Sequence, residues 1–361
     1  MRKSEMKNTI LSIAIASSLT TLLTGNVFAT GNTMTVNQTN SAGSVTLTQG
    51  AAGSTSNSKI TVIQKDADVA TSITVGQIDA NGVEAKINQD GGVGSIITIN
   101  QSGGATQANP NFTNIVNIDQ GSVGGVNIGN SFTVTTQSGS GNAIVGYMGD
   151  HTSSAKQVGA TNTATLIQDG SDSTIGFTQE GLSNTATVTQ ETGSAHNTLN
   201  VSQAGATNTV TTVQTADTSN SSLEVSLNGT DNKVATTQGG AGILTSSNIK
   251  IDITGDNNNL GDASHKIEQL SSGSSIDIAI TGSLNEANLS QAFGSAGSSM
   301  MLTQEGDSNK AEMAQIGMSN TMNLSQTTTG NLNIATLTQN GTTDTMNVTQ
   351  IDGGTVTLTQ N

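Results

Sequence analysis

Few residues of this sequence could act as catalysts or bind a metal ion, and they lie far apart in the chain. Acidic side chains follow several predicted strand ends, at Asp169, Glu180, Glu191, Glu305 and Asp307. Two of them held close together could act as a general acid and a general base. They recur in predicted turns, however, and no basic or aromatic residue accompanies them, which favours a structural role that limits lateral sheet association. The sequence therefore predicts no catalytic residue and no enzyme.

Candidate metal ligands are equally sparse. The 3 His are His151, His196 and His265. They are isolated from one another and form no ligand spacing. Residues 256–261 are weakly similar to a calcium loop, but Leu260 replaces an oxygen ligand and Ile267 stands where Glu is needed. We predict no metal site and no cofactor, and we interpret the polar run at 256–259 as a long turn.

The composition points to the elements that carry these residues. The chain has 361 residues, of which 32% are apolar, 2% aromatic and 10% charged, with 42 Gly, 1 Pro and no Cys. So few large side chains could not fill the cores of two or three compact domains, which argues against a large compact enzyme. Disordered chains are usually rich in charge and Pro, whereas this one is rich in Thr, Asn, Gln, Ser and Gly. The mixture indicates repeated β-structure.

Residues 1–29 differ from the rest of the chain. Three basic residues precede a short apolar stretch that reaches Leu23, and small residues end the segment at Ala29. This pattern predicts a secretory signal peptide that is cleaved after Ala29. A membrane anchor is the alternative, but it needs about 20 predominantly apolar residues, and Ser and Thr interrupt this stretch. After cleavage we predict no membrane-spanning segment.

The charge of the remaining chain limits its partners. Without residues 1–29 the chain keeps 8 of its 11 basic residues and 25 of its 26 acidic residues, which gives a net charge of −17 and leaves no Arg. Phosphate neutralisation needs clustered cations. We therefore predict no nucleic-acid binding. An exported chain without Cys also lacks disulfides.

Gln recurs at nearly constant steps along the chain. It stands at 157, 168, 179, 190, 203 and 214, and again at 304, 315, 326, 339 and 350, at intervals of 11 or 13 residues. Asn or Ser precedes most of these Gln by six residues. Between them the residues alternate, as in 184–190, so that Asn, two apolar residues and Gln share one face. Such alternation predicts a strand with one buried face.

A short turn follows each predicted strand, and at six places it is Gln-x-Gly-x-x-Asn. Gly lets the chain reverse through backbone angles that other residues avoid. Two strands and two turns make a coil of about 22 to 24 residues, which is the size of a solenoid repeat.

Inward Asn and Gln need partners, because a buried amide without one costs about 1–3 kcal/mol. Coils stacked about 4.7–4.8 Å apart allow each amide to bond with its twins above and below. We therefore predict an all-β, amyloid-like β-solenoid of stacked two-strand coils with Asn and Gln ladders. The predicted ladder residues are Asn162, Gln168, Gln179, Asn184, Gln190, Asn208, Gln214, Gln304, Asn309, Gln315, Asn320, Gln326, Gln339, Gln350 and Gln360.

The pattern Asn/Ser-x5-Gln-x-Gly-x-x-Asn-x5-Gln resembles the curlin repeat, the unit of the curli fibre subunits that bacteria secrete to build amyloid surface fibres. Residues 168–190 and 304–326 match it position by position, and recognisable units cover most of 32–361. The resemblance implies a homopolymeric fibre at the bacterial cell surface or in the extracellular matrix. It also implies two partners, a related curlin-like subunit and an outer-membrane secretion pore.

The repeats divide the chain into segments. Residues 30–220 carry curlin-like repeats, with an insertion near 102–113 that contains the only Pro, Pro110. Residues 221–281 form degenerate repeats, and 282–361 return to curlin-like repeats. The residues that replace Gln in the degenerate segment are Leu227, Ile253 and Ile280.

We expect the segments to differ in assembly. Residues 298–361 hold consecutive repeats without Pro and are predicted to nucleate fibres. Residues 221–281 carry Asp252, Asp256, Asp262 and Asp277. Stacked in register, these charges would repel one another within the Debye length of about 10 Å. We therefore predict that the middle segment moderates assembly.

Two classes of function remain open. The first is a secreted structural protein that forms curli-like amyloid fibres for adhesion and biofilm cohesion, because strands with low charge and open edges pair with further copies. The second is a soluble secreted β-solenoid that acts as a monomeric adhesin or as an ice-binding protein. Outward Thr185, Thr187 and Thr189 could begin a regular hydroxyl array, although Thr is also a favoured residue on exposed sheet.

Overall fold

The structure is a computed structural model that describes residues 10–15, 20–23, 33–39, 43–49, 58–65, 71–104, 114–121, 128–146, 153–239, 244–260 and 267–361. The chain divides into two compact units, residues 1–180 and residues 181–361, and each is described by itself.

The strands that begin in the first unit are short and closely spaced. They are β1 (Ile10–Ile15), β2 (Thr20–Leu23), β3 (Thr33–Thr39), β4 (Ser44–Gln49), β5 (Lys59–Lys65), β6 (Ser72–Asn81), β7 (Glu84–Asp90), β8 (Ile96–Gly104), β9 (Ile115–Gly121), β10 (Ser131–Gln137), β11 (Ala143–Gly146), β12 (Ala155–Ala160), β13 (Thr163–Gln168) and β14 (Thr174–Leu182).

Alternate strands of the first unit join different sheets. One sheet has the order β1-β3-β5-β7-β9-β11-β14 with β12 beside β9 and β14, and the other has the order β2-β4-β6-β8-β10-β13. The pairings are parallel, as between β3 and β5 and between β4 and β6. Each coil therefore contributes one strand to each sheet. Between the sheets, the rings of Phe132 and Phe177 meet edge to face with centroids 5.5 Å apart.

The second unit repeats this plan with different bounds. Its strands are β15 (Thr185–Gln190), β16 (Thr198–Ala206), β17 (Thr209–Gln214), β18 (Thr218–Ser219), β19 (Ser222–Thr230), β20 (Lys233–Gln238), β21 (Leu244–Thr245), β22 (Asn248–Thr254), β23 (Asn259–Leu260), β24 (Ile267–Gln269), β25 (Ser275–Thr281), β26 (Glu286–Gln291), β27 (Ser299–Glu305), β28 (Lys310–Gln315), β29 (Thr321–Thr327), β30 (Asn333–Gln339), β31 (Thr345–Ile351) and β32 (Gly354–Gln360).

Two parallel sheets again face each other. One runs β16-β19-β22-β25-β27-β29-β31, and the other runs β15-β17-β20-β23-β26-β28-β30-β32, with β24 beside β20 and β26. The strands β18 and β21 pair separately along the turns. We call the first sheet of this unit the interrupted face, because its column of Gln is broken at Leu227, and the second sheet the continuous face, because its column is not.

Side-chain alternation explains why these segments are strands. In β15 the buried residues are Ala186, Val188 and Gln190, while the three Thr between them point outward. Successive side chains of a strand lie on opposite faces, and β-branched Thr and Val favour a pleated surface. Each strand thus buries one row against the facing sheet.

The structure confirms the predicted fold class, a β-solenoid with buried Gln ladders. None of the described residues forms a helix that could cross a membrane. Parts of the predicted signal peptide are the strands β1 and β2, and its cleavage after Ala29 stays a prediction. Pro110 lies outside the described residues.

Candidate functional site

The Gln ladders of the first unit are built from direct side-chain hydrogen bonds. In one sheet the Nε2 of each Gln donates to the Oε1 of the Gln one coil later, at 2.7 to 2.8 Å, and the other sheet has the same bonds at 2.8 to 2.9 Å. The first series is Gln64, Gln89, Gln120, Gln157 and Gln179, and the second is Gln49, Gln77, Gln101, Gln137 and Gln168. All of these donors point toward higher residue numbers.

The continuous face of the second unit carries an unbroken ladder. Its bonds measure 2.8 to 3.2 Å and have the same direction as those of the first unit. The members are Gln190, Gln214, Gln238, Gln269, Gln291, Gln315, Gln339 and Gln360. Gln238, Gln269, Gln291 and Gln315 also donate to a main-chain carbonyl of the facing strand, as Gln315 does to Ser299 at 3.2 Å. Both hydrogens of such an amide are thereby used.

The interrupted face loses its ladder over three coils. Gln203 lies opposite Leu227, and the column continues through Ile253 and Ile280 to Gln304. All three apolar side chains are buried. The ladder resumes from Gln304 through Gln326 to Gln350, at 2.9 and 2.8 Å.

The two boundaries of this interruption differ. The Nε2 of Gln203 donates to the carbonyls of Thr185 and Asn208, at 3.1 and 3.2 Å, so it does not need an acceptor in the next coil. The Oε1 of Gln304 is buried and has no hydrogen-bond partner among the described residues, because Ile280 below it offers no donor. The interruption therefore leaves one acceptor unsatisfied rather than three.

The Asn ladder has the predicted side-chain bonds between twin residues and adds main-chain contacts to them. The Oδ1 of Asn208 accepts both the main-chain N–H and the side-chain Nδ2 of Asn232, at 3.0 and 3.1 Å. The Nδ2 of Asn208 also donates 2.8 Å to the carbonyl of Gly229 in the next turn. Asn258, Asn285 and Asn309 extend the series in the same way. Each Asn thus fixes the start of the next strand and the turn before it.

The same contacts explain the Gly of the repeat. Gly205 has φ 110°, a left-handed conformation that side chains disfavour, and a Cβ placed on it would lie 2.0 Å from the carbonyl oxygen of Gly229. Gly229 is related to Gly255 in the same way. The turns therefore stack backbone on backbone, and the stacked carbonyls accept the Asn side chains. Sequence reasoning found only the turn, not this stacking.

The predicted ladder residues all lie at strand ends. In the first unit, Gln168 and Gln179 accept bonds from Gln137 and Gln157, and Asn162 donates its main-chain N–H to Asn130 Oδ1 at 2.8 Å. In the second unit, Asn184 accepts from Asn208. The other predicted Gln lie in the two series above, and the remaining Asn contacts are Asn309 to Asn285 and Asn320 to Ser298, Gly341 and Asp344.

Other ladder members were missed. They include Asn232, Gln238, Asn285 and Gln291, which have the six-residue Asn-to-Gln spacing and were recognisable by it. Asn258 and Gln269 are also members. Residues 261–266 lie between the short strands β23 and β24, so the six-residue Asn-to-Gln spacing is absent there.

The acidic residues considered for catalysis bond to neighbouring coils. Asp169 accepts from Ser138 Oγ at 2.9 Å, and Glu180 forms an ion pair with Lys156 at 2.9 Å. Glu191 and Asp307 accept the main-chain N–H groups of Ala216 and Ser283, at 3.1 and 2.7 Å. Glu305 is exposed. These contacts link adjacent coils, and the one between Glu180 and Lys156 joins two strands.

The expected stack of like charges in the middle segment is wrong. Asp252 lies opposite Ala279, not Asp277, and Lys250 lies opposite Asp277. Lys250 Nζ also contacts Asp252 Oδ2 at 3.0 Å. The pKa of Lys250 is raised by its hydrogen bond to Asp252 and by the charges of Asp252, Asp277 and Glu224. Register thus interleaves a cation where the sequence order suggested only aspartates. Asp262 lies outside the described residues.

The segment that is weakly similar to a calcium loop contributes Asn258 to the Asn ladder. Asn258 and Leu260 are buried, and Asp256 Oδ1 accepts the main-chain N–H of Thr230 at 2.7 Å. Within the described ranges no group of three or more His, Asp or Glu side chains could hold a metal ion. His196 is exposed in a turn, and His151 and His265 lie outside the described residues.

The outward Thr columns of β15 are interrupted within the second unit. Thr185 and Thr187 lie opposite Thr209 and Thr211, but the next coil presents Lys233 and Ala235 at these positions. Lys233 and Ala235 therefore interrupt the hydroxyl columns at this coil.

Parallel two-strand coils joined by buried amide ladders define this protein as an amide-laddered parallel β-solenoid. A family model described as Curlin associated repeat matches residues 297–327, which contain Gln304, Gln315 and Gln326. This match confirms the resemblance drawn from the sequence over residues 297–327. No curated protein is significantly similar to it.

Proposed function

We propose that the chain is a secreted structural protein that self-assembles into curli-like amyloid fibres, which serve adhesion and biofilm cohesion. Its role is mechanical, and it catalyses no reaction. The family match supports this proposal, because curlin repeats are the units of fibre subunits.

The observation that carries the proposal is the open edge at β31 and β32. Each of these strands has one hydrogen-bonded neighbour in its sheet, β29 and β30 respectively. Leu358 is 42% exposed, whereas its partner Leu337 in the preceding coil is 0% exposed. Among the described contacts, Gln360 accepts a bond from Gln339, but its own Nε2 has no acceptor. Such an edge is a template for another strand.

Assembly along this edge extends what the coils already do. Each added strand satisfies main-chain groups, buries apolar side chains and continues an amide ladder. The fibre would lie at the bacterial cell surface or in the extracellular matrix. A related curlin-like subunit and an outer-membrane secretion pore complete the proposed system.

The test is assembly of the purified chain from Thr30 onward. We expect fibres with a thioflavin response and a meridional reflection near 4.7–4.8 Å. A chain that stays dispersed for weeks at high concentration, without a thioflavin response, would contradict the proposal and favour the monomeric adhesin.

A further inference from the structure

One outward face of the first unit carries stacked hydroxyl groups. It is the outward side of the strands β4, β6, β8, β10 and β13, which are neighbours in one parallel sheet. The middle outward residue of each of these strands is Thr, and the strand registers place the five in one column. The members of this column are Thr46, Thr74, Thr98, Thr133 and Thr165. We call the outward side of these five strands the hydroxyl face.

Small and polar residues flank the Thr column on both sides. The register places Ser44 opposite Ser72, and the Oγ atoms of this pair are 3.5 Å apart. The full set of flanking residues is Ser44, Ser72, Ile96, Ser131 and Thr163 on one side and Thr48, Gly76, Asn100 and Ile167 on the other. The register shifts within β10 on the second side. The regular part of the face is therefore the Thr column and the Ser and Thr beside it, which Ile96 interrupts.

The hydroxyl groups of the Thr column face solvent. Thr74 is exposed and the other four Thr are half-buried. Among the hydrogen bonds of the described residues, none involves the hydroxyl of these five Thr, whereas a Thr in a turn bonds within its own coil, as Thr218 Oγ1 does to the carbonyl of Thr215 at 2.9 Å. Stacked strands lie about 4.7–4.9 Å apart, and alternate residues of a strand are about 6.6–6.8 Å apart. The face thus presents hydroxyls to water on a two-dimensional grid.

The hydroxyl face is uncharged within a strongly acidic chain. None of the strand positions named above is charged. The facing sheet of the same unit carries ion pairs on its outward side, such as Lys59 with Glu84 at 3.2 Å. The continuous face of the second unit does so too, with Lys310 and Glu286 2.8 Å apart. Charged side chains are strongly hydrated. A face without them leaves the order of its surface water to the hydroxyls and methyl groups.

The core behind the hydroxyl face fixes the grid. Gln101 Nε2 donates to Gln137 Oε1 at 2.8 Å and to the carbonyl of Glu84 in the facing sheet at 3.2 Å. Specific side-chain ladders stabilise flat sheets against their usual twist. Thr is also stiff at χ1 because it is β-branched. The hydroxyls are therefore positioned before any ligand binds, which lowers the entropy cost of binding.

We propose that the hydroxyl face binds the surface of ice. Along one axis, water molecules in hexagonal ice repeat at nearly the spacing of stacked strands, so successive Thr hydroxyls occupy successive lattice positions. Water that bridges such groups bonds almost as well as a direct partner, and the Thr methyl groups between them gain from the release of loosely held water. The face offers no aromatic ring on which a sugar could stack and no charge for an ionic ligand, which favours ice over both.

This inference goes beyond the proposed fibre function, because the five strands belong to one copy of the chain. It also changes the position of the array that the sequence suggested. Thr185, Thr187 and Thr189 lie in the second unit, where Lys233 and Ala235 interrupt their columns. The longer column of the first unit depends on the register of strands that are separated by turns of unequal length.

The test is the growth of ice in the presence of the freshly purified chain. We expect thermal hysteresis and inhibition of ice recrystallisation. Thr98→Lys places a charge at the centre of the Thr column and should lower both activities at least severalfold. The matched control is Thr336→Lys, since Thr336 is the middle outward residue of β30 and lies opposite Glu312 and Thr357. The control should keep both activities.

A second variant keeps the test decisive if Thr98→Lys does not fold. Ile96 is 43% exposed and lies opposite Ser72 and Ser131, so Ile96→Thr completes the flanking column without disturbing the core. It should raise the inhibition of recrystallisation. Ile334→Thr makes the same change at the first outward position of β30, outside the hydroxyl face, and should have no effect. Circular dichroism and a denaturant titration show whether each variant is folded.

Several results would overturn the proposal. They are the absence of both activities in the folded, unsubstituted chain, equal losses in Thr98→Lys and Thr336→Lys, and equal effects of Ile96→Thr and Ile334→Thr. If the chain binds microcrystalline cellulose through Thr98 but does not affect ice, the ligand is a polysaccharide and the proposal is wrong. It is also wrong if Thr98→Lys changes only the sedimentation of the chain, because the face then pairs two copies. Fibre assembly is measured separately, and its failure leaves the ice result unchanged.

Discussion

The two faces of the second unit differ most between residues 221 and 281. On the continuous face, Gln214, Gln238 and Gln269 keep an unbroken amide ladder through these coils. On the interrupted face, Leu227, Ile253 and Ile280 fill the equivalent column with apolar side chains. The coils still stack in parallel register on both sides. A column can therefore consist of amide or of apolar side chains, provided that each side chain stacks on one of the same class.

The free-energy cost of replacing amides by apolar side chains arises where the apolar column meets the Gln ladder. Inside the apolar column no polar group lacks a partner, and inside the Gln ladder each amide bonds to the next. The mismatch appears where Ile280 meets Gln304, whose Oε1 is left without a partner among the described residues. An unsatisfied buried acceptor costs about 1–3 kcal/mol. A block of three substitutions thus costs less than three isolated ones.

The largest effect is expected from Ile253→Gln. The new amide would lie between Leu227 and Ile280, with no ladder partner on either side. Unsatisfied amide groups at about 1–3 kcal/mol each and the lost burial of Ile, about 1.5–3 kcal/mol, should lower the free energy of unfolding by about 3–5 kcal/mol. Denaturant titration measures this.

A triple variant sharpens the same test. Changing Leu227, Ile253 and Ile280 together to Gln would connect Gln203 to Gln304 and supply a donor to the Gln304 Oε1. We expect the triple variant to be more stable than Ile253→Gln alone. If the three substitutions lower the free energy of unfolding additively, amide side chains do not need to stack on other amides.

The next effect in size is that of Gln315→Leu. Gln291 keeps its bonds to the carbonyls of Ser275 and Ser298, but the Oε1 of Gln339 loses its donor. We expect a loss of about 1–3 kcal/mol and slower assembly, and a similar result for Gln179→Leu. The outward control Thr187→Ser should be nearly silent. Similar effects of inward and outward substitutions on assembly rate would contradict the assigned faces.

A smaller effect is expected from Lys250→Ala on the interrupted face. The substitution removes the cation that lies between Asp252 and Asp277. Because the ion pair is about half exposed, the loss should be at most about 1 kcal/mol, and added salt should reduce it. Lys233→Ala is the matched control, since Lys233 lies opposite the uncharged Thr209 and Asn259. A salt-independent loss would indicate packing instead of charge.

The smallest effect concerns Asp352, in the turn after the resumed ladder. Its pKa is lowered by hydrogen bonds from the hydroxyl and main-chain N–H of Thr329, both 2.7 Å long. A lowered pKa contributes stability that is present above the ordinary value of about 3.9 and is lost as pH falls through the folded value. Hydrogen exchange of β31 and β32 should therefore rise slightly in acid. Asp352→Ala should remove this pH dependence, and an unchanged profile would refute the assignment.

Much of the fold could be predicted from the sequence because its signals are local and repeated. Alternation in segments such as 184–190 specifies a strand with one buried face, and the recurrent Gln-x-Gly-x-x-Asn specifies the turns. The buried face of Gln179 and Gln190 follows from this pattern alone. The side-chain bonds between stacked Asn also followed, but their main-chain contacts did not, because these involve N–H groups of the next coil.

Register explains the remaining errors. Which residue lies opposite Asp277 depends on the length of the turns between coils, and the sequence order suggested Asp252 although Lys250 lies there. The interruption at Leu227 was visible, but its restriction to one face was not, because the sequence does not show directly that Gln238 and Gln269 share a column with Gln214. The prediction that residues 221–281 moderate assembly was based partly on repulsion between stacked aspartates, which the register does not support. It now depends on the interruption of the Gln ladder alone.

The common direction of the Gln bonds has an electrical consequence. On the continuous face, eight side-chain amides from Gln190 to Gln360 are aligned head to tail. Aligned amide dipoles add, as they do along a helix axis, and bonded amides polarise one another. The column therefore carries a net dipole whose positive end is at Gln360, within a chain that is otherwise strongly acidic.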